Sequence, residues 1–167
     1  MKGKQLSTPS AEKKAAGERK IFQCFLLDLG WSPGEISSED PPAPDILYKP
    51  LDGVPVAFEL AEIADEQLAS LISKLKSGEI HSDRSEAFNF GNPMPCIIKK
   101  KFHKKYQSSY PVNLLLYTNG RYVPPDDIAI ELARTWIKTN DVDPPFVSVW
   151  FMGEGPPKQI WRRPAQE

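Results

Sequence analysis

The stretch over residues 44–63, PDILYKPLDGVPVAFELAEI, constrains the fold of this chain more than any other. Val54, Val56, Phe58 and Leu60 alternate with Pro55, Ala57, Glu59 and Ala61, and a period of two marks a strand. Ile46-Leu47-Tyr48 is a shorter β-prone run ahead of it, and Asp52-Gly53 between the two is a hairpin signal. Turn length sets the register. A two-residue loop pairs Ile46 with Glu59 and leaves Asp45 and Glu59 on opposite faces. A three-residue loop, Leu51-Asp52-Gly53, pairs Pro50 with Val54 and Asp45 with Glu59. The two carboxylates then stand side by side, and small Ala57 and Ala61 leave room around Glu59. Like charges opposite each other destabilise a sheet, so this pairing calls for a compensating partner. A divalent cation is one, because hard cations take carboxylate oxygens.

Around this hairpin the chain alternates helical and extended patterns. Residues 1–9 lack apolar content and read as a disordered N-terminus. Ser10 is positioned to cap a helix that ends at Gly30, with Glu18, Phe22, Phe25, Leu26 and Leu29 on one stripe. Residues 31–44 are a Pro- and acid-rich loop in which only Glu35-Ile36-Ser37 can supply a short strand. After the hairpin, Asp65 and Glu66 open a second helix with Leu68, Leu71, Ile72 and Leu75 as its apolar stripe. Residues 77–95 have no periodicity, and Phe88 and Phe90 are expected to pin this loop to the body as one wall of a cleft. A third helix is expected over residues 95–107, with Ile98, Phe102 and Tyr106 inward. Lys99 and Lys105 flank that stripe, Lys101 lies further round, and Lys100 and Lys104 point away. The run from Pro111 to Thr118 is nearly continuous in apolar residues and reads as a central strand, parallel to the Glu59 strand. A fourth helix carries Ile128, Leu132 and Trp136, and Phe146 to Phe151 forms a last strand.

These patterns give an α/β fold: a small mixed sheet flanked by helices on both sides, as one domain over residues 10–155 with a C-terminal tail over 156–167 that packs Ile160 or Trp161 on the surface. The chain of 167 residues has a net charge of −1, so it is not a basic nucleic-acid binder as a whole. Its charge is unevenly spread. Residues 1–20 carry six Lys/Arg and two Glu, residues 35–66 nine acids and one Lys, and residues 99–105 five Lys. An acidic centre between basic segments fits a metal site beside a phosphate-binding rim. Cys24 and Cys96 lie in apolar contexts and read as two reduced, buried thiols of a cytoplasmic protein. No apolar run approaches the length that crosses a membrane.

Pro44-Asp45, followed by Glu59 on an apolar strand, resembles the PD-(D/E)XK nuclease superfamily. The likeness covers residues 18–117. It implies a restriction-endonuclease-like, three-layer arrangement. It also implies a metal-dependent nuclease, with Asp45 and Glu59 as catalytic carboxylates that hold Mg²⁺ or Mn²⁺. Glu18 on the first helix is the candidate third ligand. The motif lysine, two residues after the glutamate, is here Ala61. The superfamily is known to move catalytic residues onto a neighbouring helix, and Lys101 is then the candidate replacement. Lys99, Lys100, Lys104 and Lys105 are candidate nucleic-acid contacts. An alternative is a catalytically inactive domain of the same kind that binds nucleic acid or a protein partner; a homodimer is left open. A third reading has no site, with Asp45 capping a turn and Glu59 on a solvent-facing side.

Overall fold

The computed structural model of the protein describes residues 9–78, 92–140 and 143–164. Their order is α1 (Pro9–Leu29), β1 (Gly34–Ser38), β2 (Ile46–Pro50), β3 (Val56–Glu62), α2 (Glu66–Ser77), α3 (Met94–His103), β4 (Val112–Tyr117), α4 (Asp126–Thr139), β5 (Ser148–Met152) and β6 (Lys158–Arg162). The strands form one mixed six-stranded sheet in sequence order. β1, β2 and β3 pair antiparallel, β3, β4 and β5 pair parallel, and β6 returns antiparallel to β5.

Alternation along β3 explains the two layers of helix. Phe58 and Leu60 point to one side, where Phe22, Phe25 and Leu26 of α1 pack with Ile46, Tyr48 and Leu115. The Phe22 and Phe58 rings are 4.8 Å apart, centre to centre. Ala57 and Ala61 point to the other side, where α3 supplies Met94, Ile98 and Phe102 and α4 supplies Ala129, Ile130, Ala133 and Ile137. Successive side chains of a strand leave opposite faces, so Glu59 leaves on the α3 side with the alanines. β4 is covered on both faces and buries Val112 through Leu116, as its unbroken apolar run predicts.

Several elements differ from the sequence expectation. α1 starts at Pro9, so Ser10 lies inside its first turn. β1 is a full five-residue edge strand. Gly34 makes it fit, because a Cβ there would overlap the Lys49 carbonyl oxygen and crowd the Tyr48 ring. α3 stops at His103, and Lys104 is already extended. The residues that follow are drawn into other contacts: the Gln107 amide donates to the Pro42 carbonyl at 3.1 Å, and the Tyr106 ring packs on Phe146. On α4 the buried face is Ala129, Ile130, Ala133 and Ile137, whereas Ile128 and Leu132 are 49% and 37% exposed. The expected tail over residues 156–167 contains β6, which buries Ile160, so the sheet extends past residue 155. Both cysteines are exposed rather than buried.

The loop expected to wall a cleft, with Phe88 and Phe90, lies mostly outside the described residues. So do the N-terminal segment through residue 8 and the side chains of Leu68, Leu71, Ile72 and Leu75. Among the described residues no helix is long and apolar enough to cross a membrane.

Candidate functional site

The β2–β3 register pairs Ile46 with Phe58, Leu47 with Ala57 and Tyr48 with Val56. It is the register that the three-residue turn predicts, with Gly53 at φ +133°. Continued by one residue, it sets Asp45 opposite Glu59. β2 pairs with β3 only as far as Phe58, so the edge of β3 is free of a strand from Glu59 onward. Asp45 uses that opening: its Oδ2 accepts the Leu60 amide at 2.9 Å, where a ladder carbonyl would otherwise sit.

Glu59 is fully buried, at 0% exposure, which excludes a solvent-facing position for it. An ionised carboxylate out of water needs compensating charge, and α3 provides it. Lys101 Nζ donates to Glu59 Oε1 at 2.6 Å, and Lys104 Nζ donates to the same oxygen at 3.0 Å. The other oxygen, Oε2, is buried without a hydrogen-bond partner among the described residues. Tyr106 braces the pair from behind. Its ring lies 4.8 Å from the Lys104 ammonium, and its hydroxyl donates to the Lys101 carbonyl at 3.3 Å. Burial and then the Glu59 charge raise the Tyr106 pKa.

Glu18 approaches from the opposite side of the sheet, on α1. Lys14 links it to the hairpin, 3.0 Å from Glu18 Oε1 and 3.9 Å from Asp45 Oδ1. Lys14 lies four residues before Glu18, a spacing that puts both on one helical face. Three carboxylates in this region repel one another, and Asp45 records it. Burial first, then the Glu59 charge, raise its pKa against the opposing hydrogen bond from Leu60, with a smaller contribution from Glu18.

A cleft of about 720 Å³ opens between α1 and α3 over the far end of β3. Lys13, Lys14 and Lys20 line one wall and Lys100 and Lys101 the other, with Glu18 and Glu62 between them. Asp45 and Glu59 are not on this lining; the Lys14 and Lys101 side chains, which are, contact them. Tyr117 also faces the cleft, and burial followed by the charges of Glu62 and Glu18 pushes its pKa up to about 12. Glu62 is itself engaged by the Arg121 guanidinium, whose Nε is 2.8 Å away.

The residues singled out from sequence therefore divide. Asp45, Glu59 and Lys101 come together at the edge of β3, whereas Glu18 stays on the α1 side and is joined to Asp45 through Lys14. Lys100 reaches the cleft, while Lys99 and Lys105 are exposed and off its lining. Lys104 does not point away, because the early end of α3 turns it onto Glu59. Lys14 and Tyr106 were not singled out as site residues. The i,i+4 spacing to Glu18 could have flagged Lys14, whereas nothing local marks Tyr106. Among the described residues no group of three or more His, Cys, Asp or Glu side chains is close enough to hold a metal ion. Comparison of the chain with known protein families, curated proteins and solved structures finds no match.

Proposed function

We propose that the chain is a metal-dependent, nuclease-like protein of the PD-(D/E)XK kind that acts on phosphodiesters of nucleic acid. The observation that carries this reading is the meeting of Asp45, Glu59 and Lys101, from three separate elements, where the edge of β3 becomes free. Lys101 approaches Glu59 from α3 while Ala61 stands at the motif position. A mixed sheet between helical layers, with Asp45 leading into β2 and Glu59 on β3, supports the restriction-endonuclease-like arrangement.

The donor set suits Mg²⁺ or Mn²⁺. Carboxylate oxygens are the ligands these hard ions prefer. Glu59 Oε2 is a buried oxygen without a partner among the described residues, and Asp45 is held against burial and a like charge, both of which a cation relieves. Two carboxylates suffice for a magnesium site that completes its shell with water and substrate phosphate. Asp45 and Glu59 would hold the ion, with Glu18 on the α1 side. Such an ion, when bound, supplies a water of lowered pKa and stabilises charge on the phosphate. The chain's own residues do the rest. Lys101 keeps a positive charge at the cleft wall beside Glu59, and Lys13, Lys14, Lys20 and Lys100 offer point charges to the flanking phosphates.

A second reading is a non-catalytic domain that binds nucleic acid or a protein partner. Ala61, together with the lysines that cover the carboxylates, favours it. Incubation with plasmid, single-stranded DNA and RNA separates the two. With Mg²⁺ or Mn²⁺ the unaltered chain should cleave at least one of them. Glu59→Gln and Lys101→Ala should each lower cleavage by roughly 100-fold or more. Binding without cleavage selects the second reading, and the absence of both at low salt removes nucleic acid as the ligand.

A further inference from the structure

Glu59 has one negative charge, and one of its oxygens faces two ammoniums. One of them neutralises it, so the other is surplus. Lys104 is the more loosely held of the two. Its contact is 3.0 Å against 2.6 Å for Lys101, and its side chain is 38% exposed against 24%. Lys101 projects from a turn of α3, whereas Lys104 is the extended residue just after the helix, at φ −76° and ψ 138°. Lys104 also has a second place to rest, since its ammonium is already over the Tyr106 ring. A cation on an aromatic face is held by the ring quadrupole without any help from Glu59.

We propose that Lys104 is a displaceable counter-ion: it occupies Glu59 while no divalent cation is bound, and withdraws onto Tyr106 when Mg²⁺ or Mn²⁺ takes that carboxylate. Ammonium and metal then compete for one side chain. The proposal rests on the reading that Asp45 and Glu59 take a divalent cation, and adds a control of when they do so. Lys104 rests on Oε1 and leaves Oε2 open, so it opposes the ion by its like charge at the same carboxylate, and affinity is lowered until it withdraws. Free protein is therefore a weak metal binder, and Lys104 sets how weak. The role differs from that of Lys101, which lines the cleft.

Calorimetric titration with Mn²⁺, without nucleic acid, tests this on the unaltered chain, Lys104→Met and Lys105→Met. Lys101 still pairs with Glu59 in Lys104→Met, and a thermal melt checks that each variant is folded. Lys104→Met should bind Mn²⁺ on the order of tenfold more tightly than the unaltered chain. Lys105→Met, at an exposed neighbouring position, should stay within about twofold, because water and salt screen such a charge. Equal affinities in all three overturn the counter-ion and leave the metal reading standing. No heat from any of them at millimolar Mn²⁺ overturns both. A second measurement reads the unaltered chain itself: the ¹⁵N ammonium resonance of Lys104, assigned by its loss in folded Lys104→Arg, is followed as Mg²⁺ is added. Loss of the resonance to exchange with water supports release, and a resonance unmoved at saturating Mg²⁺ refutes it.

Discussion

At the scale of single residues, the fold depends on how Glu59 is compensated, and the compensation is unequal in the two directions. Its partners Lys101 and Lys104 are partly exposed and can turn to water, whereas Glu59 has no solvent to turn to. Removing one partner of a buried pair costs roughly 3–5 kcal/mol when the survivor is left buried and charged. The double change Lys101→Met/Lys104→Met should therefore destabilise the fold by about that amount, and Glu59→Gln by about 1 kcal/mol or less. Urea unfolding at neutral pH measures both; equal losses would mean that the ammoniums are not what keeps Glu59 inside. Asp45 makes a contrasting case. Its pKa is raised in the folded chain, by burial and by Glu59, so the folded state holds its proton more tightly than the unfolded state does. The associated stability is present below the unfolded carboxylate pKa, near about 4, and is lost as pH rises through the raised folded value. Asp45→Asn keeps an oxygen for the Leu60 amide and removes the charge. Its melting temperature should exceed that of the unaltered chain at pH 7, and the gap should close on acidification. A gap that widens towards low pH would reverse the sign and the argument.

At the scale of elements, the legible parts are those whose chemistry is local. Asp52-Gly53 and the alternation after it gave the hairpin and narrowed its register to two, of which the three-residue turn matches the observed pairing of Ile46 with Phe58. The apolar run from Pro111 gave β4, buried on both faces. The illegible parts depend on contacts distant in sequence. α3 ends early because Tyr106 and Gln107 are held by Phe146 and Pro42, and that ending decides where Lys104 goes. On α4 the buried alanines carry little hydropathy, so Ile128 and Leu132 dominate the pattern although they face outward. β6 offers a single buried residue, Ile160, among polar neighbours, too little to read as a strand. β1 is legible only once Gly34 is seen against the backbone of Lys49 and Pro50. Two glycine substitutions test this view of the elements. Gly17, inside α1, has nothing within 4 Å of an added Cβ, so Gly17→Ala should stabilise the chain by roughly 0.5–1 kcal/mol through helix propensity. Gly34→Ala must push β1 off β2 and should destabilise by about 1–3 kcal/mol. Denaturant midpoints moving in the same direction would contradict the account of β1.

At the scale of the whole molecule, the net charge of −1 hides an arrangement that matters more than its sum. α1 and α3 are far apart in sequence and cover opposite faces of the sheet, yet their lysines meet across one cleft because both helices overhang the free edge of β3. Sequence order alone suggested two separate basic segments; the fold makes them two walls of one groove, whose sheet end carries Leu60, Ala61 and the Arg121-paired Glu62. A polyanion in that groove would displace counterions in proportion to the phosphates it gives to lysines. If Lys13, Lys14, Lys20, Lys100 and Lys101 all make such contacts, the logarithm of affinity should fall against the logarithm of salt concentration with a slope of about −3.5 for single strands, or about −4.5 for duplex. Each Lys→Ala change along the cleft should reduce that slope by about one. Lys99 and Lys105 belong to the same lysine run but are off the cleft lining, so Lys99→Ala and Lys105→Ala should leave the slope unchanged. Fluorescence anisotropy of a labelled oligonucleotide over a salt series, with Ca²⁺ in place of Mg²⁺ to restrain cleavage, gives the slopes directly. If Lys99 or Lys105 counts as much as Lys100, the path of the phosphates runs over the outer surface of α3, and the groove between the helices is not where nucleic acid lies.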